Sequence, residues 1–171
     1  GSKGHKIIIE EIEKSKHQLL LEVGAFTGYS VIKWLEKFPE LNVIAIDIWD
    51  SKILSEYAKK HNKKEIFDIF KNQNGPLEYF QNCVYKYKDR VFPLKGDSIS
   101  KMIYLHNIGI KPDIIYLDAE KTSEDIFLIV ALFPKAVICG DDWNWVKNRF
   151  NFPIRQRQKY IQFDCGYTRC A

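Results

Sequence analysis

Five short apolar runs punctuate the chain: Leu19 to Val23, Asn42 to Ile48, Val91 to Leu94, Asp113 to Leu117 and Ala136 to Cys139. Each gives way to glycine or an acid, and the stretches between them carry the apolar spacing of helices. Strand and helix in strict alternation call for crossover connections, and crossovers make parallel sheets covered on both faces. The pattern therefore predicts a doubly wound α/β domain.

The connecting helices have readable ends. Lys6 to Lys16 spaces Ile7, Ile8 and Ile12 on one side of a helix. Ser30 to Phe38 stops at Pro39, and Asp50-Ser51 is a cap for the next helix. Lys52 to Arg90 holds two or three helical pieces broken at Asn74-Gly75-Pro76. Ser98 to His106 leads to Gly109 and Pro112, and a helix from Thr122 or Ser123 to Phe133 stops at Pro134. Beyond Trp143 one short helix and two further strands, Tyr160 to Phe163 and Tyr167 to Arg169, are expected.

A length of 171 residues fits one domain, and 46% hydrophobic residues are enough for a core, which excludes a wholly disordered chain. The longest apolar run, Ile126 to Phe133, is far short of the roughly 20 residues of a membrane span. Gly1-Ser2 reads as a cloning scar with no apolar leader behind it, so a cytoplasmic protein that engages no membrane is expected. The division expected is a short N-terminal segment (1–18), a core (19–146) and a basic end (147–171). From Trp143 onward six Lys or Arg face a single acid, Asp164, within a net charge of +4. Such an end could meet an anionic ligand or form a solvated face. Cys83, Cys139, Cys165 and Cys170 form no metal-binding pair; Cys139 reads as a small buried hydrophobe inside a strand. A Cys165–Cys170 bridge fits the spacing, but a reducing compartment argues against it.

Ligands of open parallel sheets bind beyond the carboxyl ends of the strands. Those ends here read Glu22-Val-Gly24-Ala25-Phe26-Thr27-Gly28, Asp47-Ile48, Gly96-Asp97-Ser98, Asp118-Ala-Glu120-Lys121 and Gly140-Asp141-Asp142. Gly24 and Gly28 let backbone pass close to a ligand, or serve a plain turn. Asp47 is placed to accept ribose hydroxyls or to cap a helix. Asp97 with Ser98 can read an adenine ring or cap the following helix. Asp118, Asp141 and Asp142 would repel one another if close and bare, and hard oxygen donors of this kind suit Mg²⁺, Mn²⁺ or Ca²⁺. Otherwise one caps a helix and another faces solvent.

Taken in order, LEVGAFTGYS, IDIWD, LKGDS, YLDAEK and ICGDDW resemble class I S-adenosylmethionine-dependent methyltransferases over about residues 19 to 146. Within that class they resemble the metal-dependent O-methyltransferases of the caffeoyl-CoA, catechol and macrocin-type sugar groups. The resemblance implies a mostly parallel Rossmann-like sheet with a short or atypical antiparallel end. It implies that Glu22, Gly24, Ala25, Phe26, Thr27, Gly28 and Ser30 surround the methionine part of S-adenosylmethionine, with Ser30 near its carboxylate. Asp47 and Ile48 would then hold the ribose, Asp97 and Ser98 the adenine, and Asp118 would also line the cofactor. Asp118, Asp141 and Asp142 match the family's metal positions, with Mg²⁺ the expected ion. Either Lys121 or Glu120 matches the base that takes the proton of a small hydroxylated acceptor.

Two features depart from the family. Phe133-Pro134-Lys135-Ala136 stands where a Gly-Gly is usual, and only about eighteen residues precede the first strand. The substrate side is then minimal, degenerate or completed by another subunit, and a homo-oligomer is compatible with this. Trp49, Trp143 and Trp145 are placed to pack on an acceptor, or to lie as packing under a loop. Two other functions stay open at this level. One is a cofactor-binding or metal-dependent protein that transfers no methyl group. The other is a nucleic-acid methyltransferase using the basic end, for which no Asn-Pro-Pro-Tyr-type motif follows strand four.

Overall fold

The computed structural model describes residues 3–60, 74–119 and 123–140. The order is α1 (Lys3–Ser15), β1 (Leu19–Val23), α2 (Tyr29–Lys37), β2 (Asn42–Asp47), α3 (Ser51–Lys60), α4 (Pro76–Cys83), a 3-10 turn (Tyr85–Tyr87), β3 (Val91–Lys95), α5 (Ser98–Asn107), β4 (Ile114–Leu117), α6 (Ser123–Leu132) and β5 (Val137–Gly140). All strand pairs are parallel, in the order β3-β2-β1-β4-β5. The expected doubly wound α/β sheet is what forms, parallel throughout the described residues. The segments expected after Trp143 lie outside those residues, as do the helical pieces expected between 61 and 73.

Alternation along each strand sorts the core into two layers. Leu20, Val43, Ala45, Val91, Ile114 and Tyr116 face α1, α2 and α4, where Ile8, Ile12, Val31, Trp34 and Phe80 meet them. Leu21, Val23, Ile44, Ile46, Ile115 and Leu117 face the opposite way, onto Met102 and Leu105 of α5 and Ile129 of α6. Trp34 meets Tyr116 edge-on, ring centroids 5.2 Å apart. Because side chains alternate, Glu22 falls on the α2 side of β1, one residue from apolar neighbours on either flank.

Strand bounds differ from the sequence expectation by a residue where a hydrogen bond decides them. Asp113 sits outside β4: its Oδ2 accepts the amides of Gln18 (3.0 Å) and Leu19 (2.9 Å) and so pins the start of β1. Ile48 leaves β2, whose last residue, Asp47, pairs with Lys95 of β3. Pro93 lacks an amide proton, and among the described residues β3 accordingly lies at the sheet edge, paired to β2 alone. The Asp50 cap forms as expected, its Oδ1 accepting the amides of Lys52 (2.9 Å) and Ile53 (3.0 Å). Cys139 is buried in β5, where desolvation drives its thiol far above the ordinary range. No helix among the described residues is long and apolar enough to cross a membrane.

Candidate cofactor site at the sheet switch point

Strand order reverses at β1, which has β2 on one side and β4 on the other. The crevice beyond its carboxyl end is the place such sheets reserve for a ligand. The turn from β1 to α2 lines it and is tied to both neighbours. Gly24 N–H donates to the Ile46 carbonyl at 2.8 Å, and Asp118 N–H donates to the Val23 carbonyl at 2.8 Å. Gly24 has φ +94°, and a Cβ there would lie 2.5 Å from the Asp118 carbonyl oxygen. Only glycine allows the β1 turn to sit this close to the end of β4.

Glu22 is fully buried beneath this turn. Ser30, on the first turn of α2, donates its hydroxyl to Glu22 Oε1 at 2.5 Å, while Oε2 meets no donor among the described residues. Burial pushes the Glu22 carboxyl well above the ordinary range; the Ser30 hydroxyl opposes that, and the charges of Asp118 and Asp47 add to it. A carboxylate left half-partnered in a dry layer is costly, so these surroundings favour the neutral acid.

Asp47 accepts two backbone amides. Its Oδ2 accepts the Phe26 amide at 2.9 Å and its Oδ1 accepts the Trp49 amide at 3.0 Å. It caps no helix, since Asp50 caps α3. It braces two loops, one after β1 and one after β2. Trp49 closes the same link from the other side: its Nε1–H donates to the Phe26 carbonyl at 2.8 Å. With Phe26 at φ +44° and Trp49 at φ +36°, both chains bend sharply at this junction. Trp49 is 1% exposed and stacks at a tilt on Phe80, centroids 4.7 Å apart. It therefore lies under the loop and does not offer its ring to an acceptor at the mouth. No spacing rule marks that role, because its partner carbonyl lies 23 residues earlier.

The remaining expected residues divide between described and undescribed positions. Ala25 and Gly28 are buried in the turn, Phe26 and Thr27 are half-buried, and Ile48 is exposed. Asp97 is the N-cap of α5, its Oδ1 accepting the Ser100 amide at 2.8 Å. That bond, above all, holds its carboxyl below the ordinary range. Ser98 begins the same helix. Asp118 is exposed at the end of β4. An open cleft of about 300 Å³ adjoins Trp49, Asp50, Lys52, Gly75 and Lys95, on the β2–β3 side of the crevice. Glu120, Lys121, Asp141, Asp142, Trp143 and Trp145 lie outside the described residues, within which no cluster of three metal-ligating side chains occurs.

No family model matches the chain, and no curated protein matches it. Solved structures do. A protein from Klebsiella pneumoniae described as an O-methyltransferase superposes with a TM-score of 0.60 at 15% identity, over 88% of this chain and 60% of its own. One from Staphylococcus aureus, described as a caffeoyl-CoA O-methyltransferase, gives 0.55 at 17% identity, over 82% and 57%. An SAH-bound methyltransferase from Podospora anserina gives 0.53 at 19% identity, over 79% and 50%. The chain thus spans 50 to 60% of the length of these three proteins. Strand order, the glycine-tight turn after β1 and these superpositions together establish that the chain has the class I methyltransferase fold.

Proposed function

We propose that the chain is an S-adenosylmethionine-dependent methyltransferase acting on a hydroxyl of a small acceptor with the help of a divalent cation. The observation that carries this reading is the acidic character of the switch point. Burial raises the Glu22 pKa, and Asp118 and Asp47 stand close enough for their charges to add to that rise. A dinucleotide pyrophosphate would meet repulsion there, whereas a sulfonium and an ammonium group meet countercharge. Glu22 Oε2, which meets no donor among the described residues, and the crowded approach of Gly24 to β4 fit a cationic ligand laid against the β1 turn.

On this reading the turn from Glu22 to Gly28, with Ser30, holds the methionine part of the cofactor. Asp47 and Ile48 hold the ribose, and Asp97 with Ser98 the adenine. The bound cofactor supplies an already activated methyl group. The work left to the chain is to align acceptor oxygen, methyl and sulfur, and alignment of this kind is worth roughly 7–11 kcal/mol of a barrier. Asp118, Asp141 and Asp142 make a hard-oxygen donor set suited to Mg²⁺, a cation that would acidify the acceptor hydroxyl. Glu120 or Lys121, beside Asp118 in sequence, would take its proton.

Calorimetric titration of S-adenosylhomocysteine with Mg²⁺, and again with EDTA, tests both levels. Micromolar binding in either buffer supports the cofactor site, and Mg²⁺-dependent transfer of labelled methyl to a catechol or sugar hydroxyl supports the metal. Binding of NAD⁺ with no binding of S-adenosylhomocysteine would overturn the reading. Transfer that is indifferent to EDTA would remove the metal from it.

A further inference from the structure

Trp49 joins two loops that the sheet brings to one edge of the crevice. Its indole Nε1–H holds the Phe26 carbonyl at 2.8 Å, and its own amide is held by Asp47 Oδ1 at 3.0 Å. Asp47 Oδ2 completes the ring by accepting the Phe26 amide at 2.9 Å. Both polar groups of the Phe26 backbone are thus committed to the β2 loop. Phe26 sits at the middle of the turn from Gly24 to Gly28, in a left-handed conformation (φ +44°) that a non-glycine residue keeps only when its surroundings impose it.

The ring of Trp49 is itself anchored. It stacks on Phe80 of α4, and Phe80 also closes on the far end of the same turn: a Cβ on Gly28 would lie 2.9 Å from Phe80 Cε2. One aromatic pair therefore backs the turn at Phe26 by hydrogen bond and at Gly28 by contact. These contacts fix the shape of the turn, and rigidity of that kind lowers the ordering cost of binding.

We infer that Trp49 is a positioning residue for the ligand of the β1 turn, acting through the Phe26 carbonyl and not by touching the ligand. The inference rests on the cofactor reading above for the identity of that ligand. Trp49→Phe keeps a ring against Phe80 and deletes the Nε1–H donor together with part of the buried indole's volume, which removes the indole partner of the Phe26 carbonyl.

Two readouts are taken on wild type and Trp49→Phe: the dissociation constant of S-adenosylhomocysteine, and hydrogen exchange of the Phe26 amide in the ligand-free protein. Loss of the clasp is expected to weaken binding by about tenfold and to speed Phe26 exchange by about tenfold. Leu105→Ala, in the apolar layer on the opposite face, is the stability control: it lowers Tm and leaves affinity within about twofold. Unchanged affinity in Trp49→Phe overturns the inference, whatever the exchange rate does. Weakened binding with unchanged Phe26 exchange also overturns it, because Trp49 would then act by direct contact. A wild type that binds no S-adenosylhomocysteine defeats the cofactor reading and the positioning role with it, whereas a wild type that binds isolates any failure to Trp49. If Trp49→Phe does not fold, Phe80→Leu, which loosens the anchor and spares Nε1, carries the same two readouts.

Discussion

Ser30 and Glu22 form a buried pair in which one carboxylate oxygen takes a 2.5 Å hydrogen bond and the other meets no donor among the described residues. The pair spans the first strand and the helix that follows it, so the turn between them is closed over a group whose charge the fold disfavours. Ionising Glu22 in the folded protein is costly, and in the unfolded chain it is not.

The sign of the pH dependence follows. The folded pKa of Glu22 lies above its ordinary value of 4.5, so the stability it contributes is complete below that value and is lost as pH rises through the folded pKa. Glu22→Gln, which cannot ionise and still accepts from Ser30, is expected to have the higher Tm at neutral and alkaline pH. The difference should close toward pH 4. Thermal melts of both proteins across that range check it, and parallel curves would show that Glu22 stays ionised in the fold.

Gly24 and Gly109 separate close approach from backbone conformation. Both have positive φ, but a Cβ on Gly24 meets the Asp118 carbonyl at 2.5 Å while one on Gly109 meets nothing within 4 Å. Gly109→Ala is expected to cost about 1 kcal/mol from the backbone alone. Gly24→Ala should cost well above that and abolish binding of S-adenosylhomocysteine, because backbone cannot yield as a side chain can. Denaturant unfolding with calorimetry reads both.

Arg90 ties the end of α2 to the β2 entrance. Its Nη1 donates to the carbonyls of Phe38 (2.9 Å), Pro39 (2.9 Å) and Leu41 (3.1 Å), and its Nη2 to that of Leu35 (3.1 Å). A planar fork serves that spread of acceptors and an ammonium does not. Arg90→Lys is expected to lose about 1–3 kcal/mol in urea unfolding despite the conserved charge.

Asp97 holds the first turn of α5 through Ser100. Asp97→Ala should cost about 1 kcal/mol, and Asp97→Asn much less, since an amide oxygen still caps. The lowered folded pKa places the benefit of the charge above the unfolded pKa, and it is lost as pH falls through the folded one. The gap between wild type and Asp97→Asn should therefore vanish in acid, as thermal melts below pH 4 would show.

The strands, their parallel pairing and the acids at their ends were legible in the chain alone, because apolar runs such as Leu19 to Val23 and Ile114 to Leu117 are buried on both faces and so announce themselves without alternation. Caps were legible for the same local reason: Asp50 and Asp97 reach amides two or three residues ahead. What the sequence could not determine is which acid meets which amide across the sheet. Asp47 reads as a ribose ligand or a cap, and nothing in its spacing tells that its two oxygens also accept the amides of Phe26 and Trp49. Trp49 reads as a ring for an acceptor or as packing under a loop, and the structure takes the second, burying it against Phe80 and bonding it to Phe26. Those contacts join β1, β2 and α4, segments that periodicity treats separately. Only the 3-2-1-4-5 order of the sheet sets their loops side by side, and it is this adjacency that turns a row of strand ends into a shaped crevice.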